Sequence, residues 1–217
     1  MPPSSPLPRG GVSEEFLARL VAARVIPVLR STGEALALAA VDRCISAGLD
    51  VVELTTTTPG WRTVLSEARD RYPSHLLGVG TVLRAEDAQD ALGLGADFLV
   101  SPCPAAPVRE VARGRRPFIE GGMTVAEVLA AADRGIAKLF PAHVGGPSFL
   151  RSVLAIAPSA LIIPTGGIAL RDVPGWLAAG ALAVGVGSDL LAQSDPAGAL
   201  RALLVDPPSR TARGEVP

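Results

Sequence analysis

Apolar and polar positions alternate along this chain in a regular beat. Short apolar runs at 25–30, 51–55, 76–81, 98–101, 117–120, 137–141, 161–165 and 183–187 read as strands. Between them lie Ala- and Leu-rich stretches of helical spacing near 34–47, 60–71, 85–94, 105–113, 124–133, 147–156 and 171–179, with a last one from about 189. Gly, Pro or Asp marks most of the joins. The runs are apolar on both faces, as parallel strands covered by helices must be. Eight strand–helix units at a spacing of roughly twenty residues predict an α/β chain folded as a compact single-domain (β/α)8 TIM barrel. An open doubly wound sheet uses the same alternation. The count of eight and the placement of polar residues favour the barrel. Glu53 and Thr55, Gly80-Thr81, Ser101, Gly121-Gly122, Lys138, Thr165-Gly166-Gly167 and Gly187-Ser188 all fall at the C-terminal ends of runs, where barrel active sites are assembled.

The ends of the chain break the pattern. Residues 1–12 are rich in Pro, Ser and Gly and read as a disordered leader. A short amphipathic helix follows to Ala22, with Ser13 as its N-cap. The barrel is expected over 13–202 and a flexible tail over 203–217. With 217 residues, 48% of them apolar but only 4% aromatic, the chain supports one well-filled core built from aliphatic side chains. A net charge of −1 gives no basic footprint for nucleic acid and no pull toward a membrane surface. No apolar run approaches the roughly 20 residues that span a bilayer. Cys44 and Cys103 are isolated, so neither a disulfide framework nor a zinc site is indicated. The reading is a cytoplasmic protein that needs no metal and no cofactor.

The chemistry concentrates on one residue. Lys138 is the only lysine; every other cationic side chain is an arginine. A guanidinium is always protonated, whereas an amine can shed its proton and attack a carbonyl. The bland alternative is a strand-end lysine that snorkels to solvent, which the apolar setting disfavours. On the second run, Val51, Glu53 and Thr55 share one face. A carboxylate in such a strand needs a partner or a purpose. It serves either as a structural ion pair with an arginine or as a general acid/base across the barrel from Lys138. An ionised Glu53 beside Lys138 would hold the ammonium's proton. Two arrangements therefore stay open, a glutamate acting at a distance through water, or nearby arginines that offset its charge. The seventh and eighth runs end in Gly166-Gly167 and Gly187-Ser188, the pattern of an anion cradle at the usual phosphate seat of barrels.

The segments Val25-Ile26-Pro27-Val28-Leu29-Arg30, Val52-Glu53-Leu54-Thr55, Gly78-Val79-Gly80-Thr81-Val82, Leu99-Val100-Ser101-Pro102, Lys138-Leu139-Phe140-Pro141-Ala142, Pro164-Thr165-Gly166-Gly167-Ile168 and Gly185-Val186-Gly187-Ser188 occur in that order. Over about residues 14 to 192 they resemble the KDPG/KHG aldolase family, class I aldolases that release pyruvate from 2-keto-3-deoxy-6-phosphogluconate or 4-hydroxy-2-oxoglutarate. The resemblance implies a Schiff base on Lys138 and a proton shuttle at Glu53. It implies that Thr81 and the backbone near Gly80 hold the pyruvyl carboxylate, that Thr165 lies close to the imine, and that Gly166, Gly167 and Ser188 take the phosphate. It also implies a homotrimer, with a phosphorylated keto acid and pyruvate as small-molecule partners.

Three departures bear on the substrate. Thr57 stands where many members carry an arginine, so Arg30 is assigned to the substrate carboxylate or phosphate. Glu120 replaces a usual proline and adds an acid near the rim, to pair with Arg30 or to favour another aldehyde. His143 follows Pro141-Ala142, where acidic or small residues are common. Alternatives to the phosphogluconate-type reaction are the phosphogalactonate-type aldolase, a sugar-phosphate isomerase or epimerase in which Lys138 serves only as a charge, and a barrel that binds a phosphorylated metabolite without turnover.

Overall fold

A computed structural model describes residues 12–193, 195 and 197–200. The expected tail lies outside these residues, as does the expected leader except for Val12, which is buried.

A plug helix, α1 (Glu14–Ala23), comes first, capped by the Ser13 hydroxyl, which accepts from the Phe16 amide at 3.1 Å. Then β1 (Val25–Leu29), α2 (Glu34–Ser46), β2 (Val51–Thr55), α3 (Trp61–Arg71), β3 (Leu76–Gly80), α4 (Ala85–Gly93), β4 (Phe98–Val100) and α5 (Ala106–Ala112) follow in turn. The second half runs β5 (Phe118–Gly122), α6 (Val125–Ala132), β6 (Ile136–Leu139), α7 (Gly146–Ile156), β7 (Leu161–Pro164), α8 (Val173–Ala178), β8 (Val184–Val186) and α9 (Ser188–Leu191), with 3-10 turns at Ala142–Val144 and Leu170–Asp172. All strand pairs are parallel, in the order β7-β6-β5-β4-β3-β2-β1-β8. A parallel bridge between Thr165 and Gly185 joins the two ends of that order. The expected (β/α)8 barrel is therefore the fold.

Strand alternation sorts the core into two parts. Residues such as Val52, Leu54, Leu77, Leu99, Ile162 and Val184 face outward and pack under the helices. Ile26, Val51, Phe98, Ile119, Ile136 and Ile163 face inward. Phe16 and Leu20 of α1 close the bottom of this interior, with the Phe16 and Phe98 rings 5.5 Å apart. Arg19 fixes the plug, donating to both Asp50 carboxylate oxygens at 2.6 Å and to the Ser74 carbonyl at 2.7 Å.

The fifth strand differs from expectation. It extends to Gly122, because Gly121 and Gly122 pair in register with Lys138 and Leu139. A Cβ on Gly121 would lie 2.3 Å from the Pro102 carbonyl carbon, so only glycine lets the β4–α5 loop cross here. Glu120 is thereby mid-strand and faces the helices. Its carboxylate accepts from Arg109 at 2.5 Å, Arg134 at 2.5 Å and the Ala105 amide at 2.7 Å. The expected rim acid paired with Arg30 is thus corrected. Inward-facing Ile119 sets the alternation that turns Glu120 away from the barrel interior.

Candidate active site

Inward-facing Ile136 places Lys138 two positions on, also inside the barrel, and Val51 does the same for Glu53 on β2. Both side chains are buried, each residue 4% exposed. Lys138 Nζ donates to Glu53 Oε1 at 3.1 Å. The pair is thus in direct contact. The contact rules out a glutamate held at a distance through water, and among the described residues no arginine forms an ion pair with Glu53. Ile26, Phe98, Val100, Ile119, Ile163, Thr165 and Gly185 complete the walls of a small cavity beside the pair, with room for about one water molecule. The Phe140 ring centroid lies 5.8 Å from Nζ and offers its π face to a cation. Sequence reading assigned Phe140 no role; its place two residues beyond Lys138 was the only signal.

Glycine makes room for the carboxylate. A Cβ on Gly80 would lie 1.9 Å from Glu53 Oε1. Next to it, Thr81 has φ +60°, a conformation that a β-branched residue adopts at a cost on the order of 1–3 kcal/mol. Its carbonyl accepts from the Thr56 hydroxyl at 2.8 Å, and the Gly80 carbonyl accepts from the Thr56 amide at 2.9 Å. Thr55 Oγ1 donates to the Leu29 carbonyl at 3.0 Å, and Thr58 Oγ1 accepts from the Ser31 amide at 3.2 Å. The run Thr55–Thr58 therefore stitches together the ends of β1, β2 and β3. Sequence reading singled out only Thr55 and Thr57 of this run.

The second group of expected residues gathers at β7 and β8. Thr165 is buried and bridges Gly185, whose added Cβ would meet Thr165 Oγ1 at 2.3 Å. Gly166 and Gly167 turn with φ +97° and +67°, conformations suited to glycine. The Gly167 amide donates to no other described residue. Gly187 links β8 to α9, which Ser188 opens, and the Asp189 carboxylate accepts from the Leu170 amide at 2.7 Å, tying the two loops together. Arg30 follows β1 as an exposed guanidinium with no hydrogen bond or ion pair to another described residue. Among the described residues, no group of three or more His, Cys, Asp or Glu side chains gathers to hold a metal ion, and no helix is long and apolar enough to cross a membrane.

Comparison with known proteins places this arrangement. Residues 17–199 match the family model of KDPG and KHG aldolase. The chain is 31% identical over 171 residues to the 2-dehydro-3-deoxy-6-phosphogalactonate aldolase of Escherichia coli K12, covering 76% of this chain and 83% of that protein. It is 32% identical over 160 residues to the 2-dehydro-3-deoxy-phosphogluconate aldolase of Pseudomonas aeruginosa, covering 72% and 73%. The crystal structure of KDPG aldolase from Legionella pneumophila, with pyruvate captured at low pH as a covalent carbinolamine intermediate, superposes with a TM-score of 0.72 at 28% identity, covering 87% of this chain and 93% of that one. With its barrel and its matched length, the chain belongs to the KDPG and KHG aldolase family and is an aldolase.

Proposed function

We propose that this aldolase works through a Schiff base on Lys138. Its substrate is a 2-keto-3-deoxy-6-phospho sugar acid of the phosphogluconate type or 4-hydroxy-2-oxoglutarate. The products are pyruvate and an aldehyde such as glyceraldehyde 3-phosphate. The observation that carries this reading is the contact between the sole lysine and a buried glutamate, 3.1 Å apart inside the barrel. Glu53 takes the proton that Nζ sheds, and the freed amine adds to the keto carbon to form a carbinolamine. Glu53 returns a proton to the departing hydroxyl, and loss of water gives the imine. Removal of the proton from the C4 hydroxyl then breaks the C3–C4 bond. Its electron pair moves into the protonated imine, leaving an enamine and releasing the aldehyde. Protonation at C3 and hydrolysis free pyruvate and the lysine.

In the same reading, Thr81 and the Gly80 backbone hold the keto-acid carboxylate, and Thr165 lies beside the imine. Gly166, Gly167, Gly187 and Ser188 receive the phosphate, a role supported by the unengaged Gly167 amide and the glycine turn it belongs to. Arg30 binds the carboxylate or phosphate with its uncommitted guanidinium. The assembly proposed is a homotrimer, to be checked by light scattering. The phosphogalactonate isomer is the competing substrate, differing at one stereocentre, and a side-by-side kcat/KM comparison separates the two.

The test is trapping. Incubation with pyruvate and borohydride should add one pyruvyl group at Lys138, read by intact mass and peptide mapping. Absence of that adduct would leave the isomerase and binding readings ahead.

A further inference from the structure

We infer that Thr56 is a positioning residue for the keto-acid carboxylate, acting by locking Thr81 in its left-handed conformation. This rests on the aldolase reading, in which Thr81 meets that carboxylate. Thr56 follows β2 and directs both of its donors at the residues that end β3. Its amide donates to the Gly80 carbonyl at 2.9 Å and its hydroxyl to the Thr81 carbonyl at 2.8 Å. In an extended strand successive carbonyls point to opposite sides. Here two in a row turn to one residue, so the backbone between them must leave the extended region. Thr81 is where it does so, at φ +60°. The far side of the next peptide is held as well, because the Val82 amide donates to the Val100 carbonyl of β4 at 3.0 Å. The peptide after Thr81 is thus strung between the exit of β2 and β4, its C=O and N–H opposed as a planar trans unit requires.

This lock sets the direction of one side chain. Rotation about the Thr81 N–Cα bond carries its side chain and its carbonyl together, so holding the carbonyl holds both. The Thr81 hydroxyl makes no hydrogen bond to another described residue, and no contact of its own fixes it. Its neighbour Gly80 lies against the catalytic pair. A Cβ there would sit 1.9 Å from Glu53 Oε1, the atom that accepts from Lys138 Nζ. Thr81 is therefore the first residue beyond the wall of that pair, with a free hydroxyl held in one direction. Without the Thr56 hydroxyl, the Thr81 carbonyl loses its partner. A β-branched residue then returns toward the extended backbone it prefers, and its side chain turns away. Strain kept in place by a neighbouring donor pre-organises the carboxylate seat before substrate arrives.

The experiment compares the full-length protein with Thr56→Val, which keeps the shape and the amide but removes the hydroxyl, and with Thr56→Ser, which keeps the hydroxyl. Thr56→Val should raise about tenfold both KM for 2-keto-3-deoxy-6-phosphogluconate and the pyruvate concentration that half-saturates borohydride trapping. Its kcat and its limiting trapping rate should stay within about threefold of the parent. Thr56→Ser should bring both concentrations back to within about twofold. A hydroxyl with only a structural role would lower the melting temperature or the fraction of trappable sites and leave both concentrations in place; that result overturns the inference. So does a fall in kcat at unchanged KM. A serine variant as impaired as the valine one also overturns it, since the effect would then belong to side-chain shape. The KM comparison needs no adduct. If the parent turns over substrate but traps no pyruvate at Lys138, the Schiff-base reading fails and KM of Thr56→Val still decides the role of Thr56. If the parent traps pyruvate and Thr56→Val matches it at every concentration, the Schiff base stands and the inference falls.

Discussion

Lys138 and Glu53 face each other across an interior whose remaining walls are almost wholly apolar, so each is the other's nearest compensation. Lys138→Arg keeps a cation opposite Glu53 but removes the proposed nucleophile. Its turnover should fall at least about a thousandfold while the melting temperature moves by only a few degrees. Retained activity would count against imine chemistry. Gly80→Ala probes the carboxylate from the other side. The new methyl group would occupy the space of Glu53 Oε1, 1.9 Å away, and push it off line with Nζ. A displacement of about 1 Å costs on the order of a hundredfold, so kcat should drop by that order. Pyruvate trapping by borohydride should slow in parallel; an unchanged trapping rate would mean that the position of Glu53 is immaterial.

At the level of elements, Glu120 joins β5 to its helices rather than to the reaction. Burial pushes its carboxyl up. The hydrogen bonds from Arg109, the Ala105 amide and Arg134 outweigh burial and leave it below the usual glutamate value of 4.5. The folded state thus binds this proton less readily than the unfolded chain does. The stabilisation is complete above the unfolded value and is lost as pH falls through the lower folded one. Glu120→Gln should destabilise by about 3–5 kcal/mol at pH 7, because two arginines lose their counter-charge. In urea melts the gap between variant and parent should stay constant above pH 4.5 and narrow as pH falls below it. A gap that stays constant with pH would mean that the carboxylate charge does not matter. Turnover per folded molecule should stay within about twofold, since Glu120 faces away from Lys138. The two cysteines also separate by element. Burial in α2 pushes the Cys44 thiol up to about 11, whereas Cys103, in the β4–α5 loop, is exposed. A thiol reagent at pH 8 should modify one equivalent quickly and the second only on unfolding.

Across the molecule, α1 seals one end of the barrel and the glycine turns shape the other. Phe16→Ala should cost about 3–5 kcal/mol by opening a cavity against Phe98. The loss should appear in the denaturant midpoint and leave KM nearly unchanged, because the plug lies at the end away from the loops. The Arg19–Asp50 pair holds that plug from outside and burial of Phe16 and Leu20 holds it from within. The fold therefore sets the plugged end apart from the end proposed for chemistry, the division expected of barrels.

The chain pattern by itself determined the eight strands, their helices and the barrel, because alternation and helical spacing are local consequences of which faces must be buried. It also singled out Lys138, through its uniqueness, and the glycines of the β7 and β8 ends, through backbone geometry that few other residues allow. Tertiary structure decided what each of these side chains meets. The 3.1 Å contact between Glu53 and Lys138 joins residues 85 apart in the chain, and no spacing rule reports it. The partners of Glu120, Arg109 on α5 and Arg134 after α6, come from two elements packed outside β5, and the extension of that strand through Gly121 depends on a loop crossing that only glycine admits. The seat of His143 on Gly167 exists only because β6 and β7 lie side by side. Distances across a closed barrel are set by strand register and by side-chain volume on neighbouring strands, and neither is written in the order of residues along one strand.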